Sequence, residues 1–245
     1  GHSEVRHGSN DDTEDIRLQE SNKLINSKVH TIIAAGLTPV LAFGEDSQER
    51  AKGKEFEVVR TQITESLNGV TTEQMLSSGL VLAYEPVWAI GDKALRAASK
   101  EEAETMHRFI RMVIFELFGR EVAATIRIQY GGSVKGENAA SFISQPNIDG
   151  GLIGGAAKKA SAFLPIIRAF ASMKKTPQPL AGRTGVQPLT GRTLYDALKA
   201  SPQGARAVTM CTNIRTPLSL DGIMQAAKET NSVAILQQAI SEFDY

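Results

Sequence analysis

The chain has 245 residues, of which 42% are hydrophobic, and it carries 27 basic and 27 acidic side chains. This composition is typical of a soluble globular protein. No apolar run approaches the roughly 20 residues of a membrane-spanning helix, which excludes a transmembrane protein. Zero net charge argues against a nucleic-acid or membrane-surface partner. The single cysteine, Cys211, cannot form an internal disulfide, so we expect a cytoplasmic location.

Segments with helical spacing of apolar residues alternate with short apolar runs along most of the chain. This alternation predicts parallel βαβ units, which either close into a barrel or form an open, doubly wound sheet. Periodicity does not choose between the two. In chain order the prediction is helix 14–35, strand 38–43, helix 47–68, strand 80–85, helix 100–118, strand 125–130, helix 136–144, strand 149–153 and helix 161–171.

The pattern changes after residue 172. Residues 174–191 are rich in proline and glycine, with no apolar period, which predicts a linker. A strand at 207–211, a helix at 219–230 and a strand at 232–236 then follow. Because two strands cannot bury a sheet on both faces, we expect this tail to be the start of a domain. The chain opens on Gly1 rather than Met, which we interpret as a fragment or a processed product.

Polar and glycine-rich positions follow three of the predicted strands, at the end where α/β folds bind ligands. Glu85 closes an apolar strand and precedes a proline and the only tryptophan, Trp88. Such a carboxylate acts as a general base when it is shielded from water, and otherwise it is a helix cap or a solvated acid. Glycine-rich turns at 131–133 and 154–155 suit the binding of a phosphate through backbone N–H groups.

The remaining histidines carry less information. His2, at the start of the chain, is by itself an unremarkable terminal residue. His7, His30 and His107 are expected at the surface, and they lack the spacing of metal ligands. We therefore expect no metal and no cofactor. Trp88 either packs in the core or anchors the loop that follows Glu85.

Residues 1–171 contain five informative motifs in register: Gly1-His-Ser-Glu4, Gly36-Leu-Thr-Pro39, Ala83-Tyr-Glu-Pro-Val-Trp-Ala-Ile-Gly91, Tyr130-Gly-Gly-Ser-Val134 and Asp149-Gly-Gly-Leu-Ile-Gly-Gly-Ala156. Together they resemble the triosephosphate isomerase family. The resemblance implies a partial TIM (β/α)8 barrel with the equivalents of strands 4–8, occupying residues 1–172. It also implies a phosphorylated sugar substrate, a role in glycolysis and gluconeogenesis, and a homodimer at full length.

The same resemblance assigns roles to seven residues. His2 is implied to be the neutral electrophile that polarises the substrate carbonyl, and Glu85 the base that moves a proton between adjacent carbons. The implied substrate-binding residues are Glu4 beside the electrophile, Gly91 as the lid-loop N–H donor, and Ser133, Gly154 and Gly155 as fixed donors to the phosphate.

Departures from the family pattern leave two alternatives open. The first three strands of the family, with their substrate-binding Asn and Lys, have no counterpart, so activity is expected to require additional N-terminal residues. Residues 92–99 also differ from the usual lid and extend it by about two positions. An isomerase of a four-carbon ketose phosphate and a catalytically inactive phosphate-binding fragment therefore stay possible.

The tail carries a second resemblance, which follows the predicted linker at 173–191. The tail contains the motifs Gly204-Ala-Arg-Ala-Val-Thr-Met210, Leu218-Ser-Leu-Asp-Gly-Ile-Met-Gln-Ala-Ala-Lys228 and Ser232-Val-Ala-Ile-Leu-Gln-Gln238. With these motifs, residues 192–245 resemble the opening of a class II fructose-bisphosphate aldolase. This implies a fusion protein whose tail holds the first βαβ unit of a second α/β barrel. The tail contains no histidine, so it lacks that family's zinc ligands and has no aldolase activity alone.

Overall fold

The computed structural model describes residues 2, 6, 20–90, 94 and 96–172, together with the backbone of strands 207–211 and 233–237. Helices and parallel strands alternate along the chain, as the sequence pattern predicts. The elements are α1 (Asn22–Ala34), β1 (Val40–Phe43), α2 (Ser47–Ala51), α3 (Glu55–Ser66), α4 (Thr72–Ser78), β2 (Val81–Tyr84), α5 (Lys100–Thr125), β3 (Arg127–Tyr130), α6 (Ala139–Ile143), β4 (Gly150–Ile153), α7 (Ala160–Ser172), β5 (Ala207–Cys211) and β6 (Val233–Gln237).

The strands form one parallel sheet in the order β1-β2-β3-β4-β5-β6. Val40, Val81 and Arg127 are register partners across the first three strands, so their carboxyl ends lie at the same edge. Strand β4 is offset, with Gly150 opposite Gln129. The turns that follow β1, β2, β3 and β4 therefore meet on one side of the sheet.

The helices cover the outer face of this sheet and build the main core with it. The largest buried side chains alternate along the strands, with Phe43, Leu82, Tyr84 and Ile128 all inaccessible or nearly so. The opposite face carries a small second cluster of Ala42, Ala83 and Leu152. Two faces buried by different partners account for the nearly continuous apolar strands.

The first four strands confirm the sequence prediction with slightly narrower bounds, whereas several helices differ. The predicted helix 47–68 is two helices, because Gly53 adopts a left-handed φ of +68° between them. Helix α4 was not predicted at all. Helix α5 runs seven residues past the predicted end at 118, with an interruption at Gly119. Residues 14–19 and the predicted helix 219–230 lie outside the described residues.

The two tail strands extend the first sheet. Leu152 and Ile153 of β4 pair in parallel with Thr209 and Met210 of β5, and β6 pairs with β5. Among the described strands there is thus one sheet, and the second barrel stays a prediction. The predicted linker at 173–191 lies outside the described residues. In residues 20–90 and 96–172, no helix combines the length and the apolar character that crossing a membrane demands.

Arg111 of α5 ties the helix layer to the start of β4. Its Nη2 donates to Asp149 Oδ2 at 2.6 Å, its Nε donates to Asn147 Oδ1 at 2.9 Å, and its Nη1 donates to the Ala123 carbonyl at 2.7 Å. The same oxygen of Asp149 accepts the N–H of Ile128 in β3 at 2.9 Å. One guanidinium therefore connects α5, β3 and β4. All three of its nitrogens donate hydrogen bonds, and its partly buried charge is paired with Asp149.

We predict that Arg111→Met lowers the free energy of unfolding by about 2 kcal/mol, because Asp149 and Asn147 lose their donor within partly buried surroundings. Urea denaturation of the 245-residue chain measures this. Arg108→Met on the same helix is the matched control, since Arg108 is exposed, and a change within about 0.5 kcal/mol is expected. Equal losses in both variants would contradict the assigned role.

Candidate active site

Glu85 lies directly after β2 and is buried, with only 2% of its surface exposed. The interpretation of Glu85 as a solvated loop acid is therefore wrong. Its main chain runs unusually close to the ends of β1 and β3. A Cβ added to Gly44 would lie 1.7 Å from the Glu85 carbonyl oxygen, and one added to Gly131 would lie 2.9 Å from Glu85 Cγ. Only glycine fits at these two positions, so the strand ends can converge on Glu85.

A buried glutamine fixes Gly44 in this position. Gln62 of α3 accepts the Gly44 N–H at 2.8 Å and donates its amide to the Gly44 carbonyl at 3.1 Å. The Glu85 N–H in turn donates to the Phe43 carbonyl at 2.8 Å. Buried hydrogen bonds thus hold both chain segments, Gly44 after β1 and Glu85 after β2, where they approach each other most closely.

The structure brings His2 and Glu85 together, although 83 positions of sequence separate them. His2 Nε2 lies 3.2 Å from Glu85 Oε1, with the histidine side chain 28% exposed and the glutamate side chain 3% exposed. One of the two groups therefore faces solvent while the other is enclosed. At this distance the imidazole and the carboxylate are within hydrogen-bonding reach of each other, and both are groups that can transfer protons near neutral pH.

Arg6 adds a positive charge beside this pair. Its Nε donates to the Ala42 carbonyl at 3.0 Å, and its two terminal nitrogens donate to Asn22 Oδ1 and Ser66 Oγ. Burial lowers the pKa of the Arg6 guanidinium to about 10, and the negative charge of Glu85 opposes this shift. Arg6 is thereby a fixed cation within the electrostatic reach of the carboxylate.

The two glycine-rich turns lie at the same edge of the sheet as Glu85. Ser133 follows β3, and its hydroxyl donates to the Ala89 carbonyl at 3.2 Å, which connects the β3 turn to the segment after Glu85. Gly154 and Gly155 follow β4 and are exposed. Gly155 begins a 3₁₀ turn that runs to Lys158. Glu4 and Gly91 lie outside the described residues.

A second buried carboxylate, Glu45, lies close to the first but has different partners. It follows Gly44 and is fully inaccessible. It accepts hydrogen bonds from Trp88 Nε1 at 2.7 Å, from the Tyr84 hydroxyl at 3.1 Å and from Arg50 Nη1 at 3.0 Å. Burial raises the pKa of Glu45, and these three donors oppose the increase. Its oxygens accept hydrogen bonds from structural side chains, whereas Glu85 Oε1 lies 3.2 Å from His2 Nε2.

The structure corrects the expectation that His107 lies at the surface. The residue is 0% exposed, with Nδ1 at 3.2 Å from the Asn147 carbonyl and its ring against the edges of Tyr84 and Tyr130. His107 follows Met106 on the apolar stripe of α5, and that position outweighs its polar character. His30, by contrast, is partly exposed, and its Nε2 lies 2.9 Å from the Asn68 carbonyl.

Sequence reasoning missed Gln62, Glu45 and Arg6. Gln62 did carry a signal, because it interrupts the apolar stripe that runs from Val59 to Ser66 at helical spacing. Glu45 and Arg6 gave none, since each depends on partners far away in the chain. Among the described residues, no group of three or more His, Cys, Asp and Glu side chains is arranged to hold a metal ion.

Comparison with known proteins identifies the family. The family model for triosephosphate isomerase matches residues 1–170. The chain belongs to the triosephosphate isomerase family. Among curated members, the triosephosphate isomerase of Protochlamydia amoebophila is 46% identical over 167 residues, which is 68% of this chain and 58% of the relative. That of Chlorobium phaeovibrioides is 47% identical over 150 residues, 61% of this chain and 58% of the relative.

The chain therefore spans about three fifths of the length of these curated triosephosphate isomerases. The matched part contains β1 to β4 and the candidate site around Glu85. Strands β5 and β6 lie beyond the last matched residue, 170. The parallel α/β sheet of residues 40–153 is consistent with part of the family's TIM barrel.

We predict that Gly44→Ala destabilises the chain by about 2 kcal/mol or more, because the new methyl group must displace the Glu85 carbonyl. Chemical denaturation monitored by circular dichroism measures the loss. The control is Gly155→Ala, where no described atom lies within 4 Å of the added Cβ, and we expect less than about 0.5 kcal/mol there. A Gly44→Ala variant as stable as this control would rule out the close approach.

Proposed function

We propose that the protein interconverts glyceraldehyde 3-phosphate and dihydroxyacetone phosphate, with Glu85 as the base and His2 as the electrophile. The observation that carries this proposal is the 3.2 Å separation of His2 Nε2 and Glu85 Oε1 at the carboxyl end of the sheet. Membership of the family and the names of the relatives support the choice of substrate. Those names favour neither the four-carbon sugar phosphate nor the inactive fragment.

The chemistry requires one proton to move between two neighbouring carbons. Glu85 takes the proton from the carbon beside the carbonyl, and the electron pair of that C–H bond forms the carbon–carbon double bond of an enediolate. His2 donates a hydrogen bond to the carbonyl oxygen as negative charge develops there. One proton also passes from the hydroxyl oxygen on the first carbon to the former carbonyl oxygen. The protonated Glu85 then donates a proton to the former carbonyl carbon, which leaves the first carbon as the new carbonyl. Nothing is oxidised or reduced overall, so the reaction needs no cofactor.

The phosphate is proposed to bind at the two glycine-rich turns. Parallel pairing of β3 with β4 supports this, because Ser133, Gly154 and Gly155 then share one edge of the sheet. Exposed backbone N–H groups in such turns suit an anion. We also propose that Gly91 donates its N–H to the phosphate and that Glu4 lies beside the electrophile; both assignments rest on the sequence motifs.

Further proposals concern the whole protein. We propose a division into an isomerase part at 1–172, a linker at 173–191 and an aldolase-like piece at 192–245, supported by the proline- and glycine-rich composition and the tail motifs. A homodimer at full length and a role in glycolysis and gluconeogenesis follow from the family. A cytoplasmic location rests on the single cysteine.

The test is the isomerase activity of the natural gene product that contains these residues, measured with glyceraldehyde 3-phosphate. We expect turnover, and we expect Glu85→Gln and His2→Gln each to lower kcat by about 10³-fold, because each removes one side of the proton transfer. Circular dichroism confirms that the variants are folded. A four-carbon ketose phosphate serves as the comparison substrate and is expected to react more slowly.

Two results would contradict the proposal. Absence of turnover by the folded gene product would show that the site is not an isomerase site. Activity of Glu85→Gln or His2→Gln within about threefold of the unmodified protein would remove that residue from the mechanism. As a control, Arg120→Gln changes an exposed residue of α5, and its activity should be unchanged.

A further inference from the structure

Two guanidinium groups approach the ring of Trp88, the only tryptophan of the chain. Arg50 Cζ lies 4.3 Å and Arg96 Cζ lies 4.9 Å from the ring centroid. Both distances are within the range of a cation–π contact. The ring itself is only 5% exposed, so these contacts occur at a largely desolvated surface.

Glu102 connects the two arginines. It accepts hydrogen bonds from both terminal nitrogens of Arg96, at 2.8 and 2.6 Å, and from Arg50 Nη2 at 3.1 Å. Arg50 also donates to Glu45, which accepts the indole N–H of Trp88. The interactions therefore close a ring that passes from Arg96 through Glu102, Arg50 and Glu45 to Trp88. We call these five residues the Trp88 clamp.

The position of Glu102 makes this arrangement more rigid than an ordinary surface ion pair. Glu102 is the third residue of α5, and it forms a capping box with Ser99, whose N–H donates to Glu102 Oε2 at 2.9 Å. An isolated pair at an exposed residue such as Arg96, 57% exposed, contributes little. A bidentate pair with a carboxylate that a helix cap already holds loses less side-chain entropy and is stronger.

The Trp88 clamp joins two parts of the segment that follows Glu85. Trp88 follows Glu85 by three residues and lies in the 3₁₀ turn Val87–Ala89. Arg96 comes eight residues later in the sequence and returns to the same ring. Fixing the indole fixes the turn, and the turn determines how the main chain leaves Glu85. Of the five residues, Arg96 alone belongs to the stretch 92–99 in which the sequence departs from its family.

We propose that Arg96 is a positioning residue, which closes the clamp on Trp88 and so holds the turn after Glu85 in place. This role concerns the geometry around Trp88; its catalytic consequence rests on the proposed function. The charges support it, since two guanidinium groups face two carboxylates with no residual charge. The Arg96 pair is also the largest cause that lowers the pKa of Glu102 to about 2.

The fluorescence of Trp88 tests the clamp directly, because no other tryptophan contributes to the signal. In Arg96→Ala we expect acrylamide to quench the Trp88 emission about two- to fivefold more efficiently. Loss of one cation–π contact raises the population in which the indole is accessible by about that factor. Arg96→Lys keeps the charge without the planar fork and should fall between the two. Unchanged quenching in folded Arg96→Ala would overturn the proposal.

Arg60 provides a matched control. It also pairs with a glutamate, Glu116, at 2.5 Å and lies 5.4 Å from an aromatic ring, that of Phe109. Arg60→Ala therefore removes the same kinds of contact elsewhere, and Trp88 quenching should stay at the level of the unmodified chain. If Arg60→Ala raised the quenching as much as Arg96→Ala, the effect would be general loosening, which would overturn the specific role of Arg96.

A second readout is the titration of Glu102 by carboxyl NMR. Its folded-state pKa lies below the ordinary value of 4.5, so the ionised pair is complete above about pH 4.5 and is lost as the pH falls towards 2. Arg96→Ala should move this pKa upwards, because the largest cause of the shift is gone. A pKa of Glu102 that does not move would show that the pair is not formed in solution.

Kinetics separate this inference from the proposed function. In an active gene product, Arg96→Ala should lower kcat about two- to fivefold, and kcat/KM by at least as much, since the turn Val87–Ala89 follows Glu85 and also contacts Ser133 of the proposed phosphate site. Unchanged kcat together with raised quenching would overturn the positioning of Glu85. If the gene product has no activity, the proposed function fails, and fluorescence and NMR still decide whether Arg96 closes the clamp.

Discussion

The candidate site depends on how closely β1 and β2 approach each other at their carboxyl ends. The Glu85 carbonyl occupies the space that a side chain at position 44 would need. Gln62 holds the main chain of Gly44 from the helix side, through both its N–H and its carbonyl. On the β3 side, a Cβ added to Gly131 would lie 2.9 Å from Glu85 Cγ, so the glycine at position 131 leaves room for the Glu85 side chain.

Two buried carboxylates, Glu45 and Glu85, follow neighbouring strands but have different surroundings. Three donors from structural side chains surround Glu45, which commits that group to holding Trp88. Glu85 instead faces a partly exposed imidazole, with the Arg6 charge nearby. Environment, more than residue type, separates a structural acid from one that can transfer a proton. Both environments arise where β1 and β2 end.

The sequence predicted the four strands β1 to β4 because a parallel strand buried on both faces is a short, largely apolar run. It also identified Glu85, whose position at a strand end is a local property. Helix α4 was not predicted, although Thr71 and Gln74 form a capping box there. His107 was expected at the surface because it is polar, but its position on the apolar stripe of α5 buries it. Gln62 and Arg6 act through partners distant in sequence, which no local pattern reveals.

The most direct test of the account is the fate of the substrate proton in deuterated water. If Glu85 moves a proton between two carbons, the gene product will convert glyceraldehyde 3-phosphate to dihydroxyacetone phosphate that contains deuterium at the newly formed C–H bond, because the carboxyl proton exchanges with solvent. The measurement is mass spectrometry or proton NMR of the product. Product formed without any solvent deuterium would contradict this account, in which the transferred proton resides on the Glu85 carboxyl group long enough to exchange with solvent.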